Sequence, residues 1–275
     1  MARCVMLLVD GLRPDAIRPD LAPSLHTLAQ DYTHAAHACT VRPSATVAAM
    51  LALTTGVGPA THQLVEPGIA TLRKLASLRP LPRELAARRL PTVAVAGEIA
   101  SVEVPVARVL STVAGVSRFV TTAGPARRVA AAALGRMRFV AEGLVIVYVN
   151  DCDRAGHASG WMSDPYLRAV AEVDAAVAQL RACAADSLLL VLADHGGGGV
   201  EPRDHDTPHP LNDRIPLVLA GPRIRRRHVL RAPASLLDVP PTILWSLGLD
   251  VPPEYEGRVL RDAFIAAPEP VDAVA

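Results

Sequence analysis

Three apolar runs in this 275-residue chain end in residues that bind metals. Asp10 closes the run at 4–9, Asp153 and His157 follow the run at 144–149, and the adjacent pair Asp194-His195 closes the run at 188–193. His205 stands in the loop beyond. Hard carboxylate oxygens and imidazole nitrogens together suit divalent cations. One Asp-His pair is common by chance, whereas several pairs at the ends of successive runs imply ligands converging on one rim. The chemistry this predicts is a two-metal site that clamps an oxyanion and promotes displacement at its centre.

Each of these residues has a competing reading. Asp10 is followed by Gly11, so a plain turn is possible, and Asp151 is an alternative carboxylate to Asp153 that would simply cap the next helix. If residues 153–157 turn helically, Asp153 and His157 share one face. His209 lies four residues after His205 and is an alternative metal ligand. The segment 41–50 offers two hydroxyls, Ser44 and Thr46, as nucleophile. A helix beginning near Thr46 would place its hydroxyl in the positive end of the helix dipole, which favours the ionised form.

Elements able to position these groups are legible as continuous Val/Leu/Ile runs at 4–9, 92–96, 144–149, 187–193 and 215–220, the pattern of strands buried on both faces. A helix is predicted over 163–183, with Ser163 and Asp164 as capping residues, Pro165 in its first turn, and apolar residues 167, 170, 173, 177 and 180 at helical spacing. A second is predicted over about 236–247, stopped by Gly248. Strands alternating with helices predict an α/β fold, a mostly parallel central sheet flanked by helices on both faces, with ligands at the carboxyl ends of the strands. Residues 98–143, rich in Ala, Val and Arg with weak periodicity, read as a crossover helix plus a small cap or irregular insertion. The whole chain reads as a single domain over 1–275, with a frayed tail at 267–275.

Composition narrows the partners. Lys+Arg number 28 and Asp+Glu 27, a balance that calls for neither a nucleic acid polymer nor an anionic membrane surface. Cys4, Cys39, Cys152 and Cys183 show no CxxC spacing and read as buried thiols. No run approaches the ~20 apolar residues of a membrane span, and the first run is too short for a signal-peptide core. The expectation is a soluble, cytoplasmic protein acting on a small molecule.

Taken in order, Val-Asp-Gly at 9–11, Thr46 ahead of Thr55-Gly56, Asp-x-x-Gly-His at 153–157, Asp194-His195-Gly196 and a later histidine before Ile215-Pro216-Leu217 resemble the alkaline phosphatase superfamily. Within it the resemblance is to the type I phosphodiesterase/nucleotide pyrophosphatase branch, and it spans residues 4 to about 260. It implies an alkaline-phosphatase-like fold and a metal-dependent phosphoric ester hydrolase. It further implies that Asp10, Thr46, Asp194 and His195 surround one ion and that Asp153, His157 and His205 hold the other, with zinc the usual occupant and manganese an alternative. The nucleophile it implies is Thr46, from the spacing to Thr55-Gly56, which would pass through a phospho-threonine. His205 is preferred to His209 because it lies eleven residues before Pro216. His62 matches a structural loop histidine of the family.

The chain departs from that branch at Ala49, where relatives carry an asparagine that binds a phosphoryl oxygen, and at Asp206, where many relatives have glycine. The Val47 N–H, Arg154 or a side chain from 98–143 would then have to take over the asparagine's role. Residues 39–43 do not fit the formylglycine pattern of sulfatases, so sulfate ester hydrolysis is not expected. Alternative activities on the same fold are a phosphomonoesterase or a phosphonate C–P hydrolase, and less so a non-catalytic metal-binding protein. Aromatics are scarce; Trp161 and Tyr166 are the nearest candidates for stacking on a nucleobase.

Overall fold

Runs of branched apolar residues with no polar alternation can satisfy their backbone only inside a sheet covered on both sides, and in the computed structural model, which describes residues 3–64 and 69–268, they do so. The strands are β1 (Arg3–Val9), β2 (Thr33–His34), β3 (Ala38–Cys39), β4 (Thr92–Ala96), β5 (Arg118–Thr121), β6 (Gly143–Val149), β7 (Leu188–Ala193), β8 (Leu217–Ala220), β9 (His228–Val229) and β10 (Ala234–Ser235). The helices are α1 (Pro23–Asp31), α2 (Thr46–Thr55), α3 (Pro59–His62), α4 (Ile69–Ser77), α5 (Leu81–Ala86), α6 (Val104–Val113), α7 (Ala126–Met137), α8 (Asp151–Ser159), α9 (Asp164–Leu180), α10 (Pro210–Asp213) and α11 (Val239–Ser246).

Among the described residues eight strands form one sheet in the order β5-β4-β6-β1-β7-β8-β2-β9, while β3 and β10 pair separately. It is mostly parallel, as expected; β8 alone runs antiparallel to its neighbours β7 and β2. β1 lies in the middle and is buried along nearly its whole length. Its register is level on both sides, with Val9 opposite Val149 on β6 and opposite Ala193 on β7. The three residues that follow, Asp10, Asn150 and Asp194, therefore leave the sheet side by side, about 4.8 Å apart strand to strand. One group of helices packs around α9, which contacts α1, α7 and α8; another joins α2, α5 and α11.

In residues 98–143 the expected crossover helix is present, but the expected cap is not. These residues form α6, β5 and α7, a regular unit that extends the sheet beyond β4 rather than an irregular cap. The helix expected over 163–183 is α9 followed by a 3-10 turn at Arg181–Ala185, and the one expected over 236–247 opens as a 3-10 turn at Leu236–Asp238 before α11. Cys4, Cys152 and Cys183 are buried, but Cys39 is exposed, because it sits on the two-residue strand β3 outside the main sheet. Residues 269–275 of the tail lie outside the described residues. Among the described residues no helix is long and apolar enough to cross a membrane.

The level register of β1 depends on its packing. Leu7 is fully buried at the centre of the strand. Leu7→Ala is expected to lower unfolding free energy by about 2–5 kcal/mol, measured by denaturant titration; a loss well under 1 kcal/mol would show that β1 is not the packing centre.

Candidate metal centre

Buried strands deliver carboxylates to the rim, and the loops behind them deliver imidazoles. Asp10 follows β1, Asp153 lies in the first turn of α8 after β6, and Asp194-His195 follows β7. His205 comes from the loop that leads to α10. Asp10, Asp194 and His195 bring ligand atoms within 4.8 Å of one another, and so do Asp153, His195 and His205. His195 Nε2 lies 3.2 Å from Asp10 Oδ1 and 3.6 Å from Asp194 Oδ2. Asp153 Oδ1 lies 3.3 Å from His157 Nε2 and 3.7 Å from His205 Nε2. The second tight group thus contains His195 where the sequence reading has His157. The rings of His195 and His205 stack at 3.8 Å, which brings His195 to both halves, while His157 stands half-exposed at the mouth and reaches Asp153 from outside.

All three histidines are tethered in the same way. Their Nδ1 atoms meet backbone carbonyls, His195 at Gly196 O (2.8 Å), His205 at Ser44 O (2.7 Å) and His157 at Arg203 O (2.9 Å). A carbonyl only accepts, so each Nδ1 carries a proton and each Nε2 is the nitrogen turned to the cluster, the orientation a metal ligand needs. Asp194 is oriented by the N–H groups of Gly11 (3.2 Å) and His195 (2.9 Å), both donating to Oδ1.

The electrostatics leave a positive charge wanting. Asp10 Oδ1, Asp153 Oδ1 and Asp194 Oδ2 are buried and accept no hydrogen bond. Burial and the charge on Asp10 push Asp194 well above the usual carboxylate range, and the same two causes raise Asp153 to about 6. Burial pushes His195 down, but Asp194 and Asp10 more than offset it, raising its pKa to about 10. Burial and the neighbouring His195 lower His205 to about 4. One imidazolium among three carboxylates leaves their outward oxygens uncompensated. Orphaned carboxylate oxygens beside three Nε2 atoms fit divalent cations in chemistry and in position, a cation taking the place of the proton on His195.

The two hydroxyls separate cleanly. Thr46 opens α2, and its Oγ1 lies 3.2 Å from His195 Nε2. The Ser44 hydroxyl is buried and donates to the carbonyl of His205 at 2.6 Å, which removes it from the cluster. Val47 and Ala48 follow Thr46 in the first turn, where backbone N–H groups have no intrahelical acceptor.

Other sequence candidates lie elsewhere. His209 is the N-cap of α10, its Nδ1 accepting from the Leu211 N–H at 3.1 Å, and it belongs to neither ligand group. Arg154 pairs with Glu98 at 3.1 Å. His62 is buried, with Nδ1 accepting from the Leu64 N–H. Asp151 precedes Asp153 in the first turn of α8, half a turn away, and belongs to neither ligand group. Trp161 and Tyr166 do not form a stacking clamp. Both are buried and donate to Gly11 O, Trp161 Nε1 at 2.9 Å and the Tyr166 hydroxyl at 3.0 Å, so they pin the turn that carries Asp10. Trp161 also sets its ring against His157 and His205, and a Cβ on Gly197 would meet that ring at 2.0 Å.

Sequence reasoning passed over two residues. Tyr148, one before the end of β6, donates its hydroxyl to Asp10 Oδ2. Arg13 is buried and reaches the carbonyl of Gly197 at 3.3 Å, joining the loop after β1 to the loop after β7. The signal for Tyr148 was an aromatic with a polar tip at a strand end; Arg13 gave none.

Comparison with known proteins shows the family and the fold. A family model described as the metalloenzyme superfamily matches residues 106–251, more than half of the chain, and one described as type I phosphodiesterase / nucleotide pyrophosphatase matches residues 4–70. The chain belongs to the metalloenzyme superfamily. It is 33% identical over 125 residues to the 2,3-bisphosphoglycerate-independent phosphoglycerate mutase of Rhodopirellula baltica, a match covering 43% of this chain and 22% of the mutase, so the chain spans less than a quarter of that relative's length. Among solved structures, the phosphonate monoester hydrolase from Silicibacter pomeroyi superposes with a TM-score of 0.74 at 18% identity, covering 100% of this chain and 78% of that one. A protein in the alkaline phosphatase superfamily from Vibrio parahaemolyticus gives 0.71 at 17% identity, covering 94% and 69%. The fold is alkaline-phosphatase-like, as the order of motifs implied.

The histidine assignment has a direct test. His205→Ala is expected to weaken metal binding by about 100-fold, the upper end of what even outer-shell changes cost, while His209→Ala leaves it within a few-fold. Calorimetric titration of both variants with Zn2+ measures this; loss of binding in His209→Ala alone would shift the ligand by one turn.

Proposed function

We propose that the protein is a hydrolase of phosphoric esters that works through a covalent phospho-threonine at a site for two divalent cations, in the manner of phosphodiesterases. The observation that carries this is Thr46, whose hydroxyl points at His195 Nε2 from the start of α2 while the competing Ser44 is tied to backbone. Asp10, Thr46, Asp194 and His195 would hold one cation, and Asp153, His157 and His205 the other. Zinc fits the mixed imidazole and carboxylate donors, with manganese the alternative. Cations held there would supply Lewis acidity to the phosphoryl oxygens and lower the pKa of the attacking hydroxyl.

The chain's own groups do the rest. Thr46 Oγ1 forms a bond to phosphorus as the ester oxygen departs in line, the threonine proton passing to solvent and the leaving oxygen taking one up. Water then attacks the phosphorus from the vacated side and releases Thr46 as a hydroxyl. The Val47 and Ala48 N–H groups face a phosphoryl oxygen from the helix start, the role Ala49 cannot fill. Tyr148, Trp161 and Tyr166 hold the β1 turn so that Asp10 need not reorganise during the reaction.

A second reading, a phosphomonoesterase or phosphoryl-transfer enzyme, draws support from the likeness to phosphoglycerate mutases and from the missing asparagine. Parallel assays with p-nitrophenyl phosphate and bis(p-nitrophenyl) phosphate separate the two, the diester being the better substrate under the first reading. In either case Thr46→Ala is expected to cut kcat by roughly a thousandfold or more with metal content nearly intact, since Asp10, Asp194 and His195 still hold that cation, and Ser44→Ala by less than tenfold. An active Thr46→Ala enzyme beside a dead Ser44→Ala enzyme would reverse the nucleophile assignment.

A further inference from the structure

We infer that the groove along the outer edge of β5 is a second anion-binding site, separate from the metal centre, that takes a small polyanion of the diphosphate class. Charge in this chain is nearly balanced overall, yet residues 104–141 contain six arginines and no acidic residue. Three of the six, Arg108 on α6, Arg118 on β5 and Arg136 on α7, come from different elements and line one cavity of about 490 Å³.

Among the described residues none of these three side chains has an ion-pair or hydrogen-bond partner, whereas neighbouring arginines do: Arg127 pairs with Glu172 and Arg154 with Glu98. Guanidinium groups brought together without counter-charge repel one another, and an anion with several oxygens relieves that repulsion by accepting paired N–H donors. Further donors are at hand. Among the described residues β5 pairs only with β4, which leaves N–H groups along its other edge unpaired, and Thr121 lines the same cavity. Protection of a sheet edge explains one positive charge on a four-residue strand, but not arginines converging from the helices on either side. The strand is too short to recruit a peptide as an added strand, and the cavity suits a compact ligand instead.

The groove does not belong to the metal centre. β4 and β6 lie between β5 and β1, which puts it roughly 14 Å to the side of Asp10 at ordinary strand spacing. A diphosphate cannot span both.

Calorimetric titration with methylene diphosphonate tests this on the full, metal-loaded protein and on the double variant Arg108→Ala/Arg118→Ala, in which two exposed side chains are shortened. The expected result is one binding event more in the parent than in the double variant, weakened at least tenfold by the substitutions and further by salt, with metal content and ester hydrolysis unchanged. Two events falling to one support the site, and so does one falling to none, an outcome that would count instead against ligand binding at the metal centre. Equal numbers of events with equal affinities in the two proteins, or no binding to the parent, would overturn it.

Discussion

Three carboxylates buried together at the ends of adjacent strands form the constraint on which the rest of this structure depends. Asp10 and Asp194 leave β1 and β7 side by side, and Asp153 joins them one turn into α8. Like charges at this separation cannot all ionise in a buried site without compensation, and His195 supplies only one positive charge. Their unpaired oxygens and the Nε2 atoms around them describe an environment completed by cations. The level register of β1 with β6 and β7 creates the crowding, and the same register makes the site precise.

Much of the surrounding structure holds this arrangement in place. Trp161 and Tyr166 fasten the Gly11 carbonyl, Arg13 bridges to the Gly197 carbonyl, and three backbone carbonyls fix the histidine tautomers. The mutual bonds between Ser44 and His205 tie the start of α2 to the loop that brings the last imidazole. A site so tethered loses little on reorganising when charge develops, which is the physical basis for reading it as catalytic. Glycines in the loop after β7 act here through close approach, since side chains at 196 and 197 would meet Leu211 O and the Trp161 ring.

The central strands were legible because each is an unbroken apolar run ended by a ligand residue, so the fold class and the converging acids could both be read from 4–10, 144–153 and 188–195. The edge of the sheet was not. β5 is four half-exposed residues beginning with arginine, and α7 is alanine-rich with weak contrast between its faces, so 98–143 carried no periodic signal. Two-residue strands such as β3 and β9 are set by long-range pairing and leave no local pattern, which is also why the exposure of Cys39 was missed. The sequence favours Thr46 over Ser44 by family likeness and by its place at a helix start; the structure adds the bond that ties the serine to His205 O. The pinning roles of Trp161 and Tyr166 join residues about 150 apart in sequence, and nothing in their neighbourhood announces a partner at Gly11.

The central claim is that these ligands form two cation sites sharing one rim. Anomalous diffraction from crystals grown with zinc, collected on either side of the metal absorption edge, tests it most directly. Two peaks about 4 Å apart are expected, one among Asp10, Thr46, Asp194 and His195 and the other among Asp153, His157 and His205. A single peak, or a second one held by His209 or by surface acids, would contradict it.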